Sequence, residues 1–254
     1  MTSYIAFCKK EFLDILRTYK LAIMLATFAI LGLISPFTAK ILPEILSGMD
    51  MGGVIIELPE ASAFDSWTQF FKNISQLGTV VMVIIFCGIT ANELAKGTLV
   101  NILTKGLNRH VVILAKLTVP SLIWTLCYLL SLGVALGYTI YFWGVEPLPH
   151  AILAFTCLWV FGLLLIALMI LGGICLGNVY GSLLAVVATV IVLNLINIAP
   201  MAHKYNPISL AGGTLSLLNE QKIPEDFIPA LVICVASIVV AIIVSIAVFD
   251  RKQL

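Results

Sequence analysis

The chain is expected to be an all-α membrane protein with six transmembrane helices, and three observations lead there. It has 254 residues, 61% of them hydrophobic and only 11% charged, and its mean hydropathy is +1.12. Apolar runs near or above the ~20 residues that cross a bilayer recur along its length. The basic residues gather in a few places between those runs rather than spreading evenly. The whole of 1–254 reads as a single transmembrane domain, with spans at 20–41, 68–91, 111–142, 151–174, 180–200 and 227–249.

Residues 3–19 precede the first span and form a separate amphipathic helix. Tyr4, Cys8, Phe12 and Leu16 make an i, i+4 ladder, flanked by Ile5, Ile15 and Tyr19, while Lys9, Lys10, Glu11, Asp14 and Arg17 lie elsewhere on the wheel. Such a helix rests in the membrane interface. A helix packed on protein is the alternative. No signal peptide is expected, because residues 1–20 mix acids and bases without a separate apolar core.

The third span is longer than a bilayer requires and contains Pro120, which predicts a tilt, a kink or an extended end. The fourth and fifth spans are joined by Gly177-Asn178-Val179-Tyr180-Gly181, a tight turn between antiparallel neighbours. The segments 43–67 and 201–226 mix apolar residues with Pro, Gly and acids, as short surface helices and turns do. They either cap the outer end of a pathway or rest on headgroups.

Orientation follows from the basic residues. With the N-terminus inside, the inner set is Lys9, Lys10, Arg17, Lys20, Lys96, Lys105, Arg109, Lys116, Arg251 and Lys252; the outer set is Lys40, Lys72, Lys204 and Lys222. Both termini are therefore expected in the cytoplasm, and the protein in a bacterial plasma membrane as a multi-pass component.

Several chemistries are missing from the sequence. It has no G-x-x-x-x-G-K-[ST] phosphate loop, no H-E-x-x-H and no G-x-S-x-G. The six cysteines have no C-x-x-C pair and read as small packing residues. His110, His150 and His203 fall near span ends, as interfacial residues do. No ionisable group lies in the central part of any span, which argues against a proton- or sodium-coupled carrier. Asn194 and Asn197, one helical turn apart, read as interhelical hydrogen-bonding groups, or as part of a polar path or subunit interface.

The polar island Asn92 to Lys116 stands between two apolar runs and carries four of the fourteen Lys and Arg residues. Asn92 is expected to cap a helix over 92–107, with Glu93 in its first turn. Ala95, Leu99 and Ile102 follow at helical spacing, Lys105 lies in the last turn, and Gly106 suits the stop. Lys9, Lys10 and Arg17 on the first helix, with Arg109 and Lys116 at the start of the third span, are expected to anchor the inner surface by reaching headgroups. An ordinary basic inner loop is the plainer reading of the island.

An acid after the second span, then Lys96-Gly97-Thr98-Leu99, then Leu103-Thr104-Lys105, then an Arg before the third span, resembles the permease subunits of type-2 ATP-binding-cassette exporters. So do the interfacial helix, the six spans, the Asn206-Pro207 turn and the basic tail Asp250-Arg251-Lys252. The small amphipathic peptide exporters of that family have permeases of this size. Where the family carries a basic residue and a proline in a Leu-Thr-x-Pro stretch, this chain has Lys105-Gly106-Leu107.

The resemblance implies that Glu93, Lys96, Gly97, Thr98, Leu99, Ile102, Leu103, Lys105 and Gly106 form a coupling helix that docks on a separate cytoplasmic ATPase subunit. That subunit would hold ATP and magnesium, and this chain no cofactor. A second permease subunit, identical or homologous, would pair with this one. The first, second and fifth spans would face the path, bringing in Ser35, Pro36, Thr90, Asn194 and Asn197. Other partners would be membrane lipids, not nucleic acid. The cargo class would be an amphipathic or hydrophobic peptide, lipid or drug. The competing reading is a membrane scaffold or assembly protein that recruits another partner through the basic loop. An intramembrane enzyme is disfavoured by the uncharged spans.

Overall fold

The computed structural model describes residues 2–48, 60–95, 97–99, 106–199, 202–219 and 221–252. They form an all-helical bundle in which six helices are long and apolar enough to cross a membrane. This is the build of a multi-pass membrane protein.

Helix α1 covers Thr2–Arg17. Tyr19, at φ +57°, turns the chain in the left-handed region, and α2 runs from Lys20 to Gly48 through Pro36 and Pro43. The second span is composite: α3 (Ala63–Asn73), a π-helical turn (Ile74–Gly78), α4 (Thr79–Phe86) and α5 (Gly88–Ala95). It begins five residues before the expected 68. Ser62 and Asp65 form a reciprocal capping box there, with Ser62 N–H donating to Asp65 Oδ2 at 2.9 Å. That pair satisfies first-turn donors which the apolar pattern alone does not reveal.

Helix α6 runs Arg109–Trp143 and continues through Pro120. Helix α7 is Ala151–Leu176, α8 Val179–Ile196, α9 Ser209–Gly212, α10 Thr214–Leu218 and α11 Ile228–Arg251. The predicted turn between the fourth and fifth spans is present. Gly177, at φ +70°, ends α7, and the Asn178 side chain accepts from Gly181 N–H at 2.6 Å to cap α8.

The core centres on α7, which packs against α6, α8 and α11. Between apolar helices in lipid, close packing replaces the hydrophobic effect as the adhesive force, so small residues mark the crossings. A Cβ on Gly32 would lie 2.5 Å from the Ser131 carbonyl, and one on Gly172 would lie 2.4 Å from Ala185 Cβ. Gly162 leaves room for the Trp124 ring. Trp124 Nε1 donates to Trp159 O at 3.1 Å, and Tyr128 OH to Phe155 O at 3.0 Å. Buried polar tips of the aromatic layer thus find backbone partners.

Helix α1 lies on α6 and α2, turned differently from the expected ladder. Its buried stripe is Phe7, Glu11 and Ile15, while Phe12 and Leu16 are each 42% exposed. Tyr4 OH and Thr118 Oγ1 share a 2.7 Å hydrogen bond. An acid on the buried stripe requires a cation opposite it, and Lys10 and Lys116 stand there.

Candidate functional site

Two places gather polar chemistry: a buried ring of charges where α1, α5 and α6 meet, and a large cavity at the far end of the second and fifth spans.

The ring has four members. Lys116 Nζ donates to Glu11 Oε1 at 3.0 Å and to the Ile89 carbonyl at 2.8 Å, and forms an ion pair with Glu93 Oε2 at 2.6 Å. Lys10 Nζ lies 3.0 Å from the same Glu11 oxygen and pairs with Glu93 Oε1. Asp14 Oδ2 is 3.7 Å from Lys10. Each carboxylate is therefore shared between two lysines, and the four formal charges cancel. Lys116 and Glu11 are 1% and 2% exposed. Such burial is tolerable only because every charge is paired at hydrogen-bond distance. Burial disfavours the Lys10 ammonium, but the Glu93 and Glu11 carboxylates outweigh it and hold the Lys10 pKa above the ordinary lysine value.

This geometry corrects four expectations. Lys116 does not reach outward to headgroups. It sits about two helical turns inside α6, and the two carboxylates at 3.0 Å or less hold it in the protein interior. Lys10 is likewise half-buried in the ring, whereas Lys9 and Arg17 are exposed. Arg109 caps the last helix: its guanidinium donates to the Phe249, Asp250 and Lys252 carbonyls, the latter two at 3.0 and 2.9 Å. A cation is stabilised there by the unpaired carbonyls of the α11 C-terminus. Lys252 Nζ in turn donates to Ile174 O at 2.7 Å, closing α11 onto α7.

The fourth correction concerns only where the expected coupling helix begins. Asn92 does not cap a new helix; it and Glu93 belong to α5, the end of the second span. Gly97, at φ +66°, adopts the left-handed conformation, and its N–H bonds to Leu94 O at 3.1 Å, so the chain turns there. Thr98 Oγ1 donates to Glu93 O at 3.2 Å. Leu99 is fully buried in the core. Gly106 adopts φ +88°. Lys96, Ile102, Leu103 and Lys105 lie outside the described residues.

Glu11 is the ring member that the sequence reading did not single out. The available signal was its spacing: four residues after Phe7 and four before Ile15, it stands in an apolar row where an unpaired acid would be costly.

The cavity has a volume of about 870 Å³. Its walls come from α4, α7 and α8, and residues of the segment 208–216, with Lys222, line one end. Of the five residues expected on a path, Asn194 and Asn197 line it. Asn197 Oδ1 accepts from His203 Nδ1 at 2.8 Å, and Asn206 Nδ2 donates to Leu193 O at 2.6 Å. Asn197 thus secures the chain that follows the fifth span rather than a neighbouring span. Ser35 and Pro36 are buried elsewhere: Ser35 accepts from Asn73 Nδ2 at 3.1 Å and donates to Leu31 O at 2.7 Å. Thr90 is buried near Gly173 at the α5–α7 contact. The π-helical turn contributes Ser75, and Gln76 beside it, to the cavity wall. Such turns recur at functional sites because they rotate the following face of the helix.

Among the described residues, no three His, Cys, Asp or Glu side chains group as metal ligands. No protein-family model and no curated protein matches the chain.

Proposed function

We propose that the chain is the membrane-spanning permease subunit of an ATP-driven exporter, moving an amphipathic or hydrophobic cargo outward with energy from a separate ATPase subunit. Both termini and the segment 96–108 face the cytoplasm in this reading, and a second permease subunit completes the transporter. ATP and magnesium belong to the ATPase partner.

The observation that supports this reading best is the charge ring. It fastens the N-terminal helix to the two span ends that flank segment 96–108, through Glu93 before it and Lys116 after it. A force applied to that segment by a docked partner would reach α1, the second span and the third span together. The second span then continues to the cavity wall, so the point of input and the cargo-sized space share one composite helix.

The test is to search the neighbouring reading frames for a phosphate-loop ATPase and to reconstitute the chain with it. The complex should co-purify, the permease alone should hydrolyse no ATP, and cargo should accumulate in inside-out vesicles only with ATP. Reversing the charges of Lys96 and Lys105 should abolish ATP-driven transport while leaving insertion intact. Transport that persists in those variants, or a permease that binds no ATPase, would refute the proposal.

A further inference from the structure

Polarity in the cavity changes along both spans in the same direction. On the second span, Val83 and Ile84 lie deeper and Ser75 and Gln76 lie toward the far end. On the fifth, Leu183 and Val187 lie deeper and Asn194 and Asn197 toward the same end. The space is therefore an apolar trough with a polar mouth. Its volume falls within the roughly 300–1,000 Å³ of a site for one small ligand.

The donors at the mouth are unequal. Thr79 Oγ1 donates to Ser75 O at 2.6 Å, Ser209 Oγ to Asn206 O at 2.7 Å, and Ser216 Oγ to Gly213 O. These hydroxyl protons are committed to nearby backbone carbonyls. The Asn194 amide donates to Val190 O at 2.9 Å, and His203 uses Nδ1 on Asn197. Lys222 is different. Its ammonium stands 5.8 Å from the Phe227 ring at the mouth, whereas Lys204 is paired with Asp226 at 3.2 Å and lies off the cavity. No carboxylate occurs among the described residues that line the space. A positive mouth over a neutral apolar trough selects an anionic head on a hydrocarbon chain.

We infer that the cavity binds a single-chain amphiphile with an anionic headgroup, its chain between the second and fifth spans and its head at Lys222. This takes the cavity as the cargo site of the exporter reading and names the charge and shape of the cargo.

The test is photolabelling of the purified full chain in phosphatidylcholine nanodiscs, without ATP or the ATPase. The probes are a diazirine-bearing hexadecanoate and the matching hexadecyl trimethylammonium. The carboxylate probe should label peptides containing 75–84 and 183–197 about tenfold more than the ammonium probe, the factor of about one charge-assisted hydrogen bond. Unlabelled hexadecanoate should compete. Lys222→Glu should remove or invert that preference, and Val187→Trp should block labelling by filling the trough. Ile191→Trp serves where Val187→Trp fails to give a monodisperse protein. Equal labelling by both probes overturns the inference, as does labelling that survives the tryptophan variants. If phosphatidylglycerol in the nanodisc abolishes labelling, the occupant is a two-chain bilayer lipid and the inference also fails. Because labelling needs no partner, failure here leaves ATPase docking untouched, and failed docking leaves the labelling result standing.

Discussion

Replacing Lys116 by Met should be the most damaging single substitution at the basic end of the bundle. Met keeps the length of the stem and removes the charge. Glu11, 2% exposed, and Glu93, 16% exposed, would then share one lysine, Lys10, which is 36% exposed. One buried negative charge is left uncompensated, at a cost of about 3–5 kcal/mol. For a chain of this size that corresponds to a melting temperature lower by roughly 6–20 °C. Glu11→Gln should cost less, about 1–3 kcal/mol, since Lys116 retains Glu93 and the Ile89 carbonyl. The double variant removes one charge of each sign and leaves a neutral Lys10–Glu93 pair. Its loss should fall short of the sum of the single losses by about 1–3 kcal/mol. Thermal unfolding in detergent, followed with a thiol-reactive fluorophore, suits the measurement because Cys127, Cys157 and Cys234 are fully buried in the folded state. A Lys116→Met protein that melts within about 2 °C of wild type, or strictly additive losses, would refute the ring as an interacting unit.

Four further outcomes follow from single positions. Gly32→Ala places a methyl 2.5 Å from the Ser131 carbonyl and should destabilise by about 1–3 kcal/mol. Gly133→Ala meets no atom within 4 Å and should be neutral or stabilise by up to about 1 kcal/mol, so the same assay separates the two glycines. Arg109→Gln should release the α11 terminal carbonyls at a cost of about 1–2 kcal/mol, read as faster hydrogen exchange confined to the last turn of that helix. The raised Lys10 pKa means that its contribution is complete below the unfolded value of 10.5 and is lost as pH rises through the folded value. As pH rises above about 10.5, wild type should therefore lose more melting temperature than Lys10→Met.

The six spans were legible because hydropathy summed over a bilayer's length tolerates local error. Their ends were less so. The second span starts at Ala63 because Ser62 and Asp65 cap it, a polar signal placed among residues that otherwise read as a surface segment. The turn at Gly177 was legible because Gly and Asn carry their own backbone preferences. The role of Lys116 was hidden, since a lysine near the start of a span has the same local sequence whether it snorkels or pairs inward. Only the partner decides, and Glu11 is 105 residues away. The coupling segment misled for a related reason. Helical spacing in 92–107 predicts one continuous helix, whereas Glu93 stays on the preceding span and Gly97 turns the chain before Thr98 and Leu99 resume a helix, with 100–105 outside the described residues.

That displacement of Glu93 changes what the basic end can do. A glutamate on a detached docking helix would be a surface contact that a partner either makes or does not. A glutamate at the end of a span, bonded to lysines from α1 and α6, is instead a structural joint. Replacing such a ring with well-packed apolar side chains commonly leaves a protein as stable or more so. Its stability contribution therefore gives little account of why charges stand there. What charges add is direction. An apolar contact allows α1 to slide or rotate on α6 at small cost, whereas each carboxylate here must keep two lysines within about 3 Å. The ring fixes the register of α1 against both span ends. As a hypothesis, that register is what would make a displacement of segment 96–108 move three helices as one body. Cysteine cross-linking of position 4 to position 118, which face each other across the Tyr4–Thr118 hydrogen bond, measures it directly. The ring is a register device if its neutralisation slows that cross-link while melting is preserved, and merely a packing element if the rate is unchanged.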